Sequence, residues 1–394
     1  MKKKINIGLF GYGIVGQGVY SLFTNTKSID LNIVKICAKH PKKRRNIDLD
    51  NFTFDKNDIL NDQSIDLIVE AIDDADAALD ILRTALTNGK DVVTANKKML
   101  ADNLEEIIAL QEQHGRSVLY EGSTCGGIPI IRNLEEYYDN EMLNNVSGIF
   151  NSSSNYILTQ IFDHNKDYDI AVKRAQDLGY LESDPSKDII GYDALYKLII
   201  VTAHAYGVIV QPENVVLHGL QNMDRFDIEF AKEKGWVIKT IATVKKVDND
   251  HIALYVMPTF VKEESNFRHI NDEDNAIMVE AAFSQHHFFT GKGAGGYPVG
   301  SAILSDVSAY SYQYKYAYKK KEFTNLSLCE DVELNVYMRY FDKENLDAFK
   351  FEKIEGQYIS KDYNYVLGKI SLSALLAQRE RLNTADIFMC ILPE

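Results

Sequence analysis

The sequence predicts an α/β architecture in three parts: a parallel, doubly wound sheet, then an α+β domain with its own sheet, then a small α+β module. Three observations carry this prediction. A buried-strand pattern from Ile5 to Phe10 runs straight into Gly11, Gly13 and Gly16 and then into a helical pattern. Strand-like and helix-like runs alternate from there to Glu121, as a parallel sheet requires, because each parallel pair needs a crossover. Further on, Trp236 to Val244 and Ile252 to Val261 are β-rich runs flanking Asp248-Asn249-Asp250, the pattern of a hairpin.

Composition narrows the classes. A chain of 394 residues has room for two to three domains of about 150 residues each. With 45% hydrophobic and 25% charged residues it reads as an ordinary globular protein. The net charge of −14 argues against a nucleic-acid partner, which requires a basic surface. Cys37, Cys125, Cys329 and Cys390 lie far apart with no CxxC pair, which argues against a disulfide framework or structural zinc and predicts a cytoplasmic protein. The N-terminal lysines and apolar residues do not make a signal peptide, because glycines break the short apolar run and no small-residue cleavage site follows. No segment reaches the ~18 apolar residues of a membrane helix.

The elements follow in order. Strand Ile5 to Phe10, the turn Gly11-Tyr12-Gly13-Ile14-Val15-Gly16 and helix Gln17 to Phe23 form a dinucleotide fingerprint in its required context. Gly11 permits the turn, Gly13 lets a pyrophosphate approach the backbone, and Gly16 lets the helix pack on the strand. After the second strand, Leu31 to Ala38, the chain reads Lys39-His40-Pro41-Lys42-Lys43-Arg44-Arg45 rather than the acidic residue that holds a ribose hydroxyl. The basic cluster suits a 2′-phosphate and favours NADP(H), with NAD(H) also open and a solvated surface loop as the plain alternative. Strand Leu67 to Ile72, helix Ala75 to Asn88, strand Asp91 to Thr94, helix Leu104 to His114 and strand Ser117 to Glu121 complete the series. Ala95, Asn96 and Lys97 fall just past the carboxyl end of a parallel strand, where such sheets bind ligands. Lys97 is therefore a candidate working lysine.

A glycine-dense turn, Glu121 to Pro129, leaves this sheet; its carbonyls beside one carboxylate could hold a hard cation, although a domain crossover is the simpler reading. Cys125 has no histidine near it and is read as a small buried hydrophobe, not a nucleophile. Val146 to Phe150 is a strand, Asn151 to Asn155 a polar cap, and Tyr156 to Phe162 a helix. His286 and His287 would face opposite ways on a strand, which argues against a metal site. His204 is read as a core histidine. A second glycine loop, Gly291 to Pro298, leads into helix Ser301 to Tyr310 and is expected to return the chain to the first domain. Lys319 to Lys321 marks a boundary. Residues 1–130, completed by about 290–318, are expected as the dinucleotide domain, 131–289 as the substrate and dimerisation domain, and 325–394 as the module.

Chemistry concentrates in residues 175–197. Glu182, Asp184, Asp188, Asp193 and Lys197 lie among Gly179, Pro185 and Gly191, with loop before Asp193 and a buried helix after it. A stretch that only filled a core would not carry so many ionisable groups between glycine turns, and Lys197 stands one turn inside the buried helix with a loop of carboxylates leading into it. The plain alternative for Asp193 and Lys197 is an i,i+4 helix ion pair worth ~0.3–0.5 kcal/mol.

The chain resembles the homoserine dehydrogenase family. The resemblance rests on Ala175, Gly179-Tyr180, Asp184-Pro185, Asp188-Ile189, Gly191, Asp193 and Lys197. It rests also on the Gly11 to Gly16 turn, Thr94 to Lys97, Tyr120 to Ile131, Ser152 to Leu158 and Gly291 to Pro298, all in family order. It implies reversible NAD(P)-dependent interconversion of L-homoserine and L-aspartate 4-semialdehyde, serving threonine, methionine and isoleucine synthesis, by a monofunctional enzyme. It implies Lys197 as proton donor and acceptor, Lys97 as its partner near the nicotinamide, and Asp188 as the residue that orients the cluster. Glu182 and Asp193 would bind substrate. The cofactor would meet Gly11, Gly13, Ile14, Val15, Gly16, Lys39, Ala95, Lys97, Gly179, Gly293 and Gly295. Glu121 with the backbone of Thr124, Gly126 and Ile128 would hold sodium. Homoserine oxidation is expected to have an alkaline optimum, and a homodimer or homotetramer is expected. Departures are Leu181 for a small residue, Asp73-Asp74 and Ser152 for glycines, and a C-terminal segment, with strands expected at Val332 to Tyr340, Tyr358 to Ile370 and Ala385 to Leu392, that resembles an ACT domain without its Pro-Gly turn. Two alternatives stay open at this stage: a dehydrogenase of another amino acid, and a binding protein that senses the nucleotide.

Overall fold

The computed structural model describes residues 4–140, 142–181 and 186–393. The chain divides into two compact units, Met1–Asp139 with Lys292–Lys319, and Asn140–Gly291 with Lys320–Glu394.

The first unit is built on six parallel strands: β1 (Ile5–Phe10), β2 (Leu31–Cys37), β3 (Phe52–Thr53), β4 (Leu67–Glu70), β5 (Asp91–Thr94) and β6 (Val118–Leu119). Their order is β3-β2-β1-β4-β5-β6. The chain direction of winding reverses between β1 and β4, which opens a crevice at the carboxyl ends of those two strands. Gly11 sits there at φ +94°, and a Cβ on it would lie 2.4 Å from the Ala71 carbonyl oxygen. Only glycine allows both that conformation and that approach. The first helix spans Ile14–Asn25, three residues ahead of the expected start, because Gly16 lies inside it instead of before it. The helix Lys97–His114 also begins earlier than expected. Its periodicity is broken at Asn103 (φ −135°), so only its second half reads as a helix in the sequence.

The glycine loop expected to return to this domain does so. Helix Gly296–Tyr310 starts within it and lies against helix Ile14–Asn25, so close that a Cβ on Gly18 would come 2.1 Å from the Gly296 carbonyl oxygen.

The second unit carries β7 (Leu143–Ile149), β8 (Val216–Leu217), β9 (Val237–Lys246), β10 (His251–Val261), β11 (Asp274–Ala281), β12 (Gln285–Lys292), β13 (Ser327–Leu328), β14 (Glu333–Tyr340), β15 (Lys353–Ile359), β16 (Asn364–Ser371) and β17 (Ile387–Ile391). They form one sheet ordered β12-β11-β7-β9-β10-β17-β14-β16-β15, with β8 and β13 also on β10. The expected hairpin is β9–β10, antiparallel from Val237↔Val261 to Lys246↔Ile252.

The C-terminal segment differs from its expectation in two ways. The run Tyr358 to Ile370, read as one strand, is a hairpin that turns between Ile359 and Asn364. The segment also continues the central sheet: β17 lies between β10 and β14 instead of at the edge of a module apart. Its attachment is a buried ion pair. Arg339 of β14 donates to Asp227 at 3.0 Å, and the Tyr337 hydroxyl donates to the same carboxylate at 2.9 Å. Burial pushes Asp227 up to about 6, with the Arg339 charge and the hydrogen bonds it accepts pulling the other way. Removing one partner of such a pair costs about 3–5 kcal/mol, because a charge is left buried alone. Among the described residues no helix is long and apolar enough to cross a membrane.

Candidate active site

Lys197 lies in the second turn of helix Tyr192–Tyr206 and is 5% exposed. Gly191 precedes that helix at φ +101°, a left-handed conformation that glycine supplies without strain. The Lys197 ammonium donates to the Phe150 carbonyl at 2.6 Å and to Asp193 Oδ2 at 2.9 Å. An exposed i,i+4 pair is worth ~0.3–0.5 kcal/mol, and desolvating both charges costs several kcal/mol. Stability therefore gives no reason to bury Lys197 and Asp193, whose side chains are 7% and 11% exposed.

Asn151 organises the acidic side of this cluster. It stands just past the end of strand β7, with only Phe150 between, and caps helix Ser152–Phe162, its Oδ1 accepting from Ser154 N–H at 2.7 Å. Its Nδ2 donates to Asp193 Oδ2 at 3.0 Å and to Asp188 Oδ1 at 3.3 Å. One amide thus caps a helix and holds two carboxylates near the lysine. The sequence reading took Asn151 only as a polar cap and missed the Phe150 carbonyl. An asparagine directly after a strand and ahead of three serines was the available signal.

The departures at Ser152 and Leu181 have local reasons. Ser152 donates to Asn275 Oδ1 at 2.9 Å, and Asn275 donates to the same Phe150 carbonyl at 3.0 Å. Leu181 is buried in an apolar cluster with Ile189 and Leu220. Glu182 and Asp184 lie outside the described residues. Gly179 is exposed at φ +77° in the second unit.

The first unit holds the nucleotide cradle. A Cβ on Gly16 would lie 2.2 Å from the Gly11 carbonyl oxygen, whereas one on Gly13 would meet nothing within 4 Å. Gly13 therefore borders open space at the N-terminus of the first helix, where free N–H groups suit a pyrophosphate. Ile14 is 74% exposed there and Val15 is half-buried. A Cβ on Gly296 would sit 2.6 Å from the Ile14 carbonyl oxygen, so the loop of Gly293 and Gly295 adjoins the same turn. Lys39, Lys42, Lys43 and Arg44 are exposed. Arg45 is not an open ligand: it donates to the carbonyls of His40 and Lys43 and stacks on Phe52 at 4.6 Å. Lys97 is the first residue of its helix and half-buried, with Ala95 half-buried before it. Asp74 caps the helix Ala75–Thr87, and Asp73 is exposed.

The carboxylate of Glu121 is committed within the turn where a cation site is expected. It is buried and accepts from the backbone N–H groups of Ile130 at 2.6 Å, Ile131 at 2.8 Å and Arg132 at 2.9 Å. Those three bonds close the turn. What the positions 121, 124, 126 and 128 offer is backbone carbonyl oxygen, a donor type that suits a hard cation. Among the described residues no group of three acidic, histidine or cysteine side chains could hold a metal ion. Cys125 is fully buried, as expected of a residue that packs.

Comparison with known proteins decides what this arrangement belongs to. Residues 11–121 match the family model of the homoserine dehydrogenase NAD-binding domain, and residues 129–308 that of homoserine dehydrogenase. A homoserine dehydrogenase of Helicobacter pylori is 35% identical over 314 residues, 78% of this chain and 74% of that one. The chain belongs to the homoserine dehydrogenase family.

Two further relatives extend the match beyond those domains. The homoserine dehydrogenase of Bacillus subtilis is 29% identical over 362 residues, covering 88% of this chain and 83% of its own. The crystal structure of a homoserine dehydrogenase from Thiobacillus denitrificans superposes with a TM-score of 0.84 at 28% identity, covering 100% of this chain and 99% of that one. As a homoserine dehydrogenase, the chain is a nicotinamide-dependent oxidoreductase acting on a CH–OH group. It interconverts L-homoserine and L-aspartate 4-semialdehyde.

Proposed function

We propose that Lys197 is the residue that exchanges the proton in this reaction, and that NADP(H) is the preferred cofactor. The observation that carries the first reading is the burial of the Lys197 ammonium between Phe150 O and Asp193 Oδ2, at 2.6 and 2.9 Å. A bound nicotinamide dinucleotide supplies the hydride in reduction and accepts it in oxidation. In reduction the ammonium of Lys197 gives its proton to the alkoxide as charge develops there; in oxidation the neutral amine takes the hydroxyl proton. Lys97, at the carboxyl end of β5, is its partner on the nicotinamide side. Asp193 and Glu182 hold the ammonium of the amino acid, and Asp188, tied to Asn151 at 3.3 Å, keeps the acidic side in place.

Support for NADP(H) is the exposed cluster Lys39, Lys42, Lys43 and Arg44 beyond β2, with no carboxylate in it. The backbone carbonyls of Glu121, Thr124, Gly126 and Ile128 are the donors for a sodium ion. A homodimer or homotetramer in the cytoplasm completes the reading, in keeping with four free cysteines.

The test is L-homoserine-dependent reduction of NADP+ and of NAD+, followed by absorbance, with L-aspartate as control. Lys197→Ala is expected to lower kcat by about 10²–10⁴-fold while NADPH affinity, read by fluorescence, stays near the wild-type value. Loss of turnover and cofactor binding together would make Lys197 a structural lysine.

A further inference from the structure

Glu70 has no part in the roles above, yet it is a carboxyl group buried to 1% exposure at the carboxyl end of β4. Its Oε1 accepts from Ile72 N–H at 2.6 Å, and its Oε2 accepts from the Thr94 hydroxyl at the end of β5. The Thr94 oxygen accepts in turn from Asn96 N–H at 3.0 Å. Asn96 closes the ring, its Nδ2 donating to the Ile72 carbonyl at 3.1 Å. The same Asn96 accepts from Met99 N–H at 3.0 Å and so caps the helix that begins at Lys97. Ala95 N–H adds a bond to the Glu70 carbonyl at 3.3 Å.

Burial pushes Glu70 up to about 7; the Thr94 and Ile72 donors oppose this, and the Asp73 charge adds to it. A site whose only need was a filled core would hold an apolar residue, since a buried carboxyl is costly unless bonded. Its bond from Ile72 N–H braces the loop after β4, and its bond from Thr94 ties that loop to the end of β5, where Thr94 in turn holds Asn96 in the loop that follows. Those loops flank the half of the crevice opposite the β1–β2 side, where the Gly11 turn and the basic cluster lie.

We propose that Glu70 is a positioning residue for hydride transfer: through Thr94 and Asn96 its carboxyl fixes Lys97 and the loop after β4 around the nicotinamide. This rests on the reading of Lys97 given above. Glutamine at position 70 can accept only one of the two donors with its single carbonyl oxygen, and valine at position 94 removes the hydroxyl link while keeping the shape. The experiment measures kcat for L-homoserine oxidation, the deuterium isotope effect on kcat with L-homoserine deuterated at C4, NADPH affinity and Tm, on the full chain. Glu70→Gln and Thr94→Val are expected to lower kcat about tenfold and raise the isotope effect, with NADPH Kd within about twofold, because displacement of reacting groups slows chemistry. Thr94→Ser keeps the hydroxyl and is expected to retain wild-type kcat. Unchanged kcat and isotope effect in both variants overturn the proposal, as does joint loss of Tm and NADPH binding, or a Thr94→Ser variant as slow as Thr94→Val. Lys97→Met separates the two readings. If it is slow while Glu70→Gln and Thr94→Val are not, only the proposal falls; if it too keeps wild-type kcat, the role of Lys97 falls with it.

Discussion

The Asn151 amide donates to Asp193 at 3.0 Å, and Asp193 is the carboxylate that accepts from the Lys197 ammonium. The same side chain caps helix Ser152–Phe162 through Ser154 N–H. Structure and chemistry therefore meet in one residue, and a substitution can separate them. Serine is an N-cap as good as asparagine but has no amide to reach two carboxylates. Asn151→Ser is expected to leave Tm within a few degrees and to lower kcat/KM for L-homoserine by about tenfold or more, from the loss of bonds worth about 1.5–3 kcal/mol to charged groups. Unfolding curves and steady-state kinetics on the same preparation check this.

The two later glycines of the turn should fail differently. A Cβ at position 16 meets the Gly11 carbonyl oxygen at 2.2 Å, so Gly16→Ala is expected to lower Tm and weaken cofactor binding together. A Cβ at position 13 meets no protein atom within 4 Å, so Gly13→Ala is expected to keep Tm and lose NADPH affinity. Differential scanning calorimetry beside fluorescence titration distinguishes the outcomes.

Within the basic cluster, the exposed Lys39 and the engaged Arg45 should part in the same way. Lys39→Ala is expected to reduce kcat/KM for NADPH by about tenfold with little change for NADH, the loss of one charge-assisted bond to a phosphate. Arg45→Ala removes the stacking on Phe52 and the bonds to His40 and Lys43 carbonyls, and is expected to impair both cofactors alike.

His218 gives a pH prediction for stability. It is fully buried, its Nε2 accepts from Met389 N–H at 3.1 Å, and burial pulls it down to about 4. Its pKa in the folded chain lies below the unfolded value of ~6.5, so the neutral ring stabilises the fold above about pH 6.5 and that stability is lost as pH falls through about 4. The loss is about 3 kcal/mol over that window. Urea unfolding at pH 7 and pH 4.5 should show a shallower acid loss in His218→Gln than in the wild-type chain; equal slopes would dismiss the histidine as the cause.

Much of the first unit was legible because its signals are local. Glycine spacing after a strand, alternation of strand and helix, and residues at the carboxyl end of a parallel strand are all written within a few neighbours of one another. Element starts were read late at Ile14, Lys97, Ser152 and Gly296, since each helix begins on glycines, polar caps or an irregular turn that carry no apolar period. The hairpin at Ile359 to Asn364 was missed because Ser360, Lys361, Asp362 and Tyr363 contain neither glycine nor proline to mark the turn.

The sequence by itself determined the fold class and the nucleotide turn and singled out Lys197 as the candidate lysine, because glycine conformation, hydrophobic period and the rarity of a lysine in a buried helix are properties of short stretches. Tertiary structure decided who surrounds that lysine. Phe150 stands 47 residues from Lys197, and Asn151 42 from Asp193; only the ends of β7 and the Lys197 helix, brought together by packing, make them neighbours. It decided likewise that the Glu121 carboxylate closes a turn and that β17 enters the central sheet. Those outcomes depend on which backbone donors and strand edges lie opposite one another, and no local pattern encodes that pairing.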